Sequence, residues 1–417
     1  MDKLVTYGGR PLIGTVEIGG AKNAVLPIMA ATIIVPGTYR IGRVPDLRDT
    51  RTMIRLLEII GCTVEFEKGN LIIDSTTCDN PEAPYDLVKT MRASFYVLGP
   101  LLSRFGYAKV SMPGGCAWGP RPVNFHVDAM RKIGAEIELK DGSIVAKGNN
   151  LSGGQIEFKV SSVGATGNAV MAAVGAAGKT TITNAAMEPE IICLCDFLNN
   201  MGGKITGIGT SRLLIQGSSA MKSSDVNVIP DRIEAATFLI AGAMTGESIT
   251  VDRVIPEHIS SIIELLRQTG CEINVHDSRV TIRKKGRPRP VSMETAIYPG
   301  FPTDVQAQWM AFMSLADGDS TITDTVYFDR FTHVAELNRL GANLTLRQNV
   351  AEVKGTDQLK GTKVMSTDIR ASASLILAGL AAEGRTDISR VYHIDRGYEN
   401  IEEKFQSLGA DIMRENE

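Results

Sequence analysis

The chain is predicted to be an α/β protein of two domains, each made from three copies of one strand–helix–strand–helix–strand–strand unit. Three observations carry that expectation. First, six times an amphipathic helical pattern ends at a glycine and runs straight into a strand pattern. The junctions are Gly61-Cys62-Thr63-Val64, Gly134-Ala135-Glu136-Ile137, Gly202-Gly203-Lys204-Ile205, Gly270-Cys271-Glu272-Ile273, Gly341-Ala342-Asn343-Leu344 and Gly409-Ala410-Asp411-Ile412, spaced 73, 68, 68, 71 and 68 residues apart. Second, a different helical pattern, small or apolar on every side, stands upstream of each junction. Third, 417 residues are too many for one ordinary core.

In chain order the apolar helical segments are 24–34, 93–103, 165–176, 233–244, 305–315 and 371–381. A helix apolar all round is a buried one. Each is followed by a glycine and a short β-like run, as in Gly178-Lys179-Thr180-Thr181-Ile182-Thr183 and Gly318-Asp319-Ser320-Thr321-Ile322-Thr323. The second helix of each unit is amphipathic, and glycine past its end is the ordinary stop signal. Right-handed crossovers place both helices on one face of a small mixed sheet. Three such units bury their helices against one another and turn their sheets to solvent.

The sixth unit is cut short, because the chain ends at Glu417 soon after its junction strand. The missing strand pattern stands at the other end, in Leu4-Val5-Thr6-Tyr7 and Gly14-Thr15-Val16-Glu17-Ile18. The N-terminal segment is therefore expected to complete the last unit. One domain then spans residues 22–229 and the other 1–21 with 230–417. Crossings near 21 and 230 act as a double hinge, with the active site in the cleft between the domains.

Composition narrows the function. Acidic residues number 47 against 44 basic ones, so no footprint for nucleic acid is visible. The start, Met1-Asp2-Lys3-Leu4-Val5-Thr6-Tyr7-Gly8-Gly9, lacks the basic segment and apolar core of a secretion signal, and no apolar run approaches the ~18 residues of a membrane span. A cytoplasmic protein with no membrane contact is expected. The six cysteines, Cys62, Cys78, Cys116, Cys193, Cys195 and Cys271, lack paired metal spacing and are read as reduced thiols. His126, His258, His276, His333 and His393 show no metal spacing either, so no metal site is assigned. His126 and His393 neighbour the polar loops as second-layer groups.

The buried helices ought to be chemically uniform, yet their N-terminal ends are not. They carry Lys22-Asn23, Arg92, Ser161-Ser162 with Gly164, Asp231-Arg232, Asp304, and Asp368 with Arg370. The amphipathic helices open with Arg48-Asp49, Arg121, Glu188 with Glu190, Arg330 and Arg396. The same phase of the repeat is polar nearly every time, so these groups gather at one end of each domain. Free helix amides with added Lys or Arg suit phosphate or carboxylate. Asp and Ser also serve there as N-caps. Lys22 and Arg92 oppose the helix dipole unless an anion binds.

One loop stands apart, Met112-Pro113-Gly114-Gly115-Cys116-Ala117-Trp118-Gly119-Pro120-Arg121-Pro122. Glycine and proline exclude a helix or a central strand. A free thiol is usually a small packing group, but one in a polar, turn-rich loop with Arg121 nearby is also a candidate reactive thiolate.

The motifs Gly20-Ala21-Lys22-Asn23-Ala24, Met91-Arg92-Ala93-Ser94, Pro113-Gly114-Gly115-Cys116, Arg121-Pro122-Val123 and Phe301-Pro302-Thr303-Asp304 together resemble one family. Ile369-Arg370-Ala371-Ser372-Ala373 and Tyr392-His393-Ile394-Asp395-Arg396-Gly397-Tyr398-Glu399 extend the match to the C-terminal end. The family is the UDP-N-acetylglucosamine 1-carboxyvinyltransferases, and the resemblance spans essentially the whole chain. It implies two inside-out α/β barrel domains, no metal and no cofactor. It also implies transfer of enolpyruvate from phosphoenolpyruvate to the 3-hydroxyl of UDP-N-acetylglucosamine with release of phosphate. That is the first committed step of peptidoglycan synthesis, and so bears on cell shape and division.

By the same resemblance, Lys22, Asn23, Arg92, Arg121 and Arg396 bind phosphoenolpyruvate. Cys116 is the reactive thiol that forms an adduct with it and is alkylated by fosfomycin. Asp304 stands at the sugar hydroxyl as proposed base, and Lys22 and Arg396 share the catalytic work. Asn23, Arg92, Arg121, Pro122, Val123, Asn124, Phe125, Ser162, Val163, Gly164, Asp304 and Val326 hold the nucleotide sugar, with Asp231, Arg330, Asp368 and Arg370 in support. Trp118 and Asn124 depart from the usual loop, and Lys159-Val160-Ser161-Ser162 departs from the usual Lys-Val-Ser. These changes resemble the second paralogue of low-GC Gram-positive bacteria. The sister activity on shikimate 3-phosphate shares the double barrel but lacks the Cys116 loop.

Overall fold

The computed structural model describes residues 2–112 and 123–416. The expected site residues Cys116, Arg121 and Pro122 lie outside the described residues. The chain divides into two units, Gly20–Ile229 and the residues up to Gly19 with those from Pro230 onward.

Among the described residues every sheet in both units has four strands on one plan. A short edge strand runs parallel to the second strand, and the remaining pairs are antiparallel. In the unit Gly20–Ile229 the second sheet runs Glu82–Ala83, Tyr107–Ser111, Ser143–Lys147, Glu136–Lys140. Its hairpin turns at Asp141-Gly142, both at positive φ (48° and 70°), the conformation that a tight two-residue turn requires.

The N-terminal segment is divided differently from expectation. Asp2–Tyr7 completes the sixth sheet, antiparallel to both Arg385–Ser389 and Asp411–Asn416. Leu12–Glu17 instead joins the fourth unit's sheet, parallel to Gly246–Asp252. The counterpart is Val226–Asn227, which precedes the fourth buried helix in sequence but pairs parallel with Thr38–Gly42 in the first sheet. Each unit thus takes the edge strand that, by sequence order, leads into the other unit's first helix. The first and fourth sheets gain their parallel edges this way, which leaves neither sheet's second strand unpaired on that side.

The buried helices are Lys22–Ala31, Val163–Ala173, Arg232–Thr245 and Ile369–Ala381, together with two that do not start as α-helix. Arg92–Val97 is a 3₁₀ helix that continues as Leu98–Phe105, and Thr303–Val305 continues as Gln306–Met313. In the former, Pro100 is the third residue of the α portion, just past the change from the 3₁₀ to the α pattern. The amphipathic helices include Arg48–Ile60 and Pro189–Asn200. The latter is largely buried, because Ile191, Cys193, Leu194, Cys195, Phe197 and Leu198 all enter the core. The Cys193–Cys195 pair is therefore packing. Each unit has its own apolar core.

At the crossings, Ala21 donates its N–H to Ile229 O at 2.8 Å, and Asp231 donates to Gly19 O at 2.9 Å. Gly20 lies so near the main chain of Arg43 that a Cβ would sit 1.8 Å from its carbonyl oxygen. Gly20→Ala is expected to destabilise the protein by about 3 kcal/mol, the upper end for overpacking. Chemical denaturation checks it, and an unchanged midpoint would show that the Arg43 turn gives way freely.

Candidate active site

In the unit Gly20–Ile229, Lys22 is the first residue of its helix and Asp49 the second residue of Arg48–Ile60. Their side chains meet at 3.1 Å, with Asp49 almost wholly buried. The cation that opposes the helix dipole is thus held by a carboxylate from the neighbouring helix. Asp49 was legible only as a helix-opening residue.

Three of the expected sugar-binding stretches converge on His126. Arg92 acts on its charge state, and Gly164 would place a Cβ 3.2–3.3 Å from its Cε1 and Nε2. Val123 to Phe125 lead into or open its own helix, Asn124–Lys132. Asn168 fixes the tautomer. Its Oδ1 accepts from Gly99 N–H at 2.8 Å, so its amide nitrogen donates to Phe95 O and, at 2.9 Å, to His126 Nδ1. The ring proton then sits on Nε2, facing Gly164. Burial, helped by Arg92, lowers the His126 pKa to about 3, so the ring stays neutral. Ser162 caps its helix through Ala165 N–H at 3.4 Å, and Val163 and Gly164 open it. Asn23 follows Lys22 on its helix.

In the other unit the centre is Asp304. It is not an N-cap, since Pro302 occupies that position and no side chain caps the turn. Asp304 Oδ1 accepts from Arg330 at 2.7 Å and Oδ2 from Arg370 at 2.8 Å. Burial alone would push its carboxyl up, but the Arg370 and Arg330 guanidiniums outweigh burial and hold it well below the usual carboxylate range. Asp231 and Asp368 are true N-caps, each accepting two helix amides.

Two of the expected helix-opening cations are placed otherwise. Arg330 precedes the helix His333–Arg339 by three residues, and Arg396 ends the 3₁₀ helix Val391–Arg396. The neighbouring Asp395 is gripped by Arg414 at 2.7 and 3.1 Å. The loop carrying Val326 is built on Asp324, which accepts from Thr295, Thr303 and the N–H groups of Val326 and Tyr327. Asp324 and Arg414 went unread in sequence, since nothing local distinguishes them from surface charges. No helix among the described residues is long and apolar enough to cross a membrane.

Comparison with known proteins points one way. The model of the family EPSP synthase (3-phosphoshikimate 1-carboxyvinyltransferase) matches residues 6–405. The UDP-N-acetylglucosamine 1-carboxyvinyltransferase of Chlorobaculum parvum is 55% identical over 418 residues, covering 100% of this chain and 99% of that protein. That of Chloroherpeton thalassium is 54% identical, covering 100% and 97%. The solved enolpyruvyl transferase NikO from Streptomyces tendae superposes with a TM-score of 0.89 at 26% identity, covering 99% and 98% of the two chains. EPSP synthase from Acinetobacter baumannii shares the fold, with a TM-score of 0.79 at 18% identity and full coverage of both chains. Full-length identity above half, on a fold shared with enolpyruvyl transferases, settles the family. The chain belongs to the EPSP synthase family and, within it, to the UDP-N-acetylglucosamine 1-carboxyvinyltransferases.

Proposed function

We propose that this protein transfers the enolpyruvyl group of phosphoenolpyruvate to the 3-hydroxyl of UDP-N-acetylglucosamine, releasing phosphate, as the first committed step of peptidoglycan synthesis in the cytoplasm. The observation that carries this reading is the full-length 55% identity to a protein of that activity. The chemistry is addition followed by elimination. A proton goes to the methylene carbon of phosphoenolpyruvate while the sugar oxygen bonds to its neighbour. Loss of a proton from the new methyl group then expels phosphate and restores the double bond. Cys116 supplies the proton to the methylene carbon. Lys22, Arg92, Arg121 and Arg396 neutralise phosphate and carboxylate, with Asn23 beside them.

Asp304 receives the hydroxyl proton. With two guanidiniums on it the carboxylate is an oriented but weak base. Val123, Asn124, Phe125, Pro122, Ser162, Val163, Gly164 and Val326 hold the nucleotide sugar, and His126 backs Gly164 as a neutral donor.

Phosphate release is the test. Phosphoenolpyruvate with UDP-N-acetylglucosamine is expected to give turnover, and with shikimate 3-phosphate none above background. Turnover with shikimate 3-phosphate alone would overturn the substrate assignment.

A further inference from the structure

Behind Asp304 a buried row of hydrogen bonds leads to a tyrosine that has no role in the reading so far. We propose that Tyr398 is a positioning residue, whose phenol oxygen holds the Arg370 guanidinium so that it aims the Asp304 carboxylate. The proposal rests on Asp304 acting at the sugar hydroxyl.

The direction of each proton in the row follows from counting donors. Thr237 Oγ1 donates its one hydrogen to Ile233 O at 2.8 Å, one turn back along its helix. Its lone pairs are left to accept, so the Tyr398 hydroxyl, 2.8 Å away, gives its own hydrogen to Thr237. The phenol oxygen is then purely an acceptor. It receives Arg370 Nη1 at 3.4 Å, while Gln308 Nε2 lies between it at 3.3 Å and Thr237 Oγ1 at 3.2 Å. The other end of the same guanidinium, Nη2, is the group on Asp304 Oδ2 at 2.8 Å. Gln308 Nε2 also lies 3.2 Å from the Asp304 carbonyl, which ties the row back to the turn it serves. A guanidinium is a rigid planar fork, so an acceptor on one arm sets the angle of the other.

Tyr398 is 3% exposed, and burial pushes its phenol up, so it keeps its hydrogen throughout the working pH range. The cluster has other charged neighbours. Arg330 holds the second carboxylate oxygen, and Asp231 acts on Arg370 and Tyr398. Asp324 is linked through the Thr303 hydroxyl, and Asp368 caps the helix of Arg370. His333, near Arg330 and Asp368, is lowered by burial to about 4 and stays neutral. Among these groups, Tyr398 is the neutral one in contact with Arg370, so changing it alters geometry without altering charge.

Tyr398→Phe keeps the ring and removes the hydroxyl, and with it the acceptor for Arg370. With the Arg370 arm released, the Asp304 carboxyl moves back toward its ordinary range. The ionised form is then lost at a higher pH than in the wild type. The expected result is a kcat about 10-fold lower, a loss on the scale of misplaced catalytic groups. Michaelis constants should stay within about threefold, and the acid limb of the kcat–pH profile should move upward. Thr237→Ser, which keeps the hydroxyl, is expected to behave as wild type, and Thr237→Val to reproduce a smaller shift of the same sign. This second pair reads the same row if Tyr398→Phe fails to fold. Unchanged kcat and an unmoved acid limb in both Tyr398→Phe and Thr237→Val, with Asp304→Asn inactive, would overturn the positioning role. Full activity of Asp304→Asn would instead overturn the reading of Asp304 itself.

Discussion

Asp304→Asn is expected to lower turnover by at least ~10²-fold, the usual worth of a positioned base. It is also expected to destabilise the fold, which a simple helix cap would not do, since Asn caps about as well as Asp. The carboxylate lies between Arg330 and Arg370, whose side chains are 11% and 7% exposed. Removing its charge leaves two nearly buried guanidiniums facing a neutral amide. Breaking a buried pair this way costs roughly 3–5 kcal/mol, and a carboxylate still 25% exposed puts this case near the lower figure. The pH dependence follows from the direction of the shift. A depressed folded-state carboxyl contributes stability above its unfolded pKa of about 4, and that contribution is lost as pH falls toward the folded value. The gap between wild type and Asn variant should thus be full at pH 7 and smaller at pH 3. Thermal melts at both pH values check this, alongside adduct formation at Cys116, which does not need the hydroxyl to react. A folded Asn variant with near-normal turnover would leave the base unidentified.

Lys22→Gln is expected to lower kcat/KM for phosphoenolpyruvate by ~10²- to 10³-fold, as loss of one group that stabilises developing charge typically does. It also weakens the pairing of Asp49, whose side chain is only 4% exposed. Stability and activity should therefore fall together in the single variant. The double variant Lys22→Gln with Asp49→Asn separates them. It is expected to regain much of the lost stability, because no buried carboxylate remains to be compensated, and none of the activity. Steady-state kinetics with denaturation of all four forms of the cycle checks it. A Lys22→Gln enzyme within threefold of wild type in kcat/KM would remove Lys22 from the substrate site.

The acid clamp at Asp304 shows why part of the site stayed hidden in the sequence. Lys22, Arg92, Ser162, Asp231, Asp304 and Arg370 all stood out as polar groups at the start of otherwise apolar segments. That contrast is local. Which of them are caps and which are paired is not. Asp231 and Asp368 accept amides two and three residues ahead, whereas Asp304 reaches Arg370 across 66 positions. Likewise Lys22 and Asp49 lie 27 apart, and His126 and Asn168 lie 42 apart.

What the sequence by itself determined was the repeat, its two helix classes and the glycine stops. Those depend on hydrophobic period and backbone sterics within one or two turns. The tertiary structure alone decided which strand completes which sheet. Residues 14–18 read as completing the sixth unit, yet Leu12–Glu17 pairs in the fourth unit's sheet, and Val226–Asn227 pairs in the first sheet. It also decided the 3₁₀ openings at Arg92 and Thr303, and the ring of partners around Asp304. Strand pairing and buried ion pairs are chosen by packing three units around one core. Their energies depend on what is brought near in space, which no window of neighbouring residues encodes.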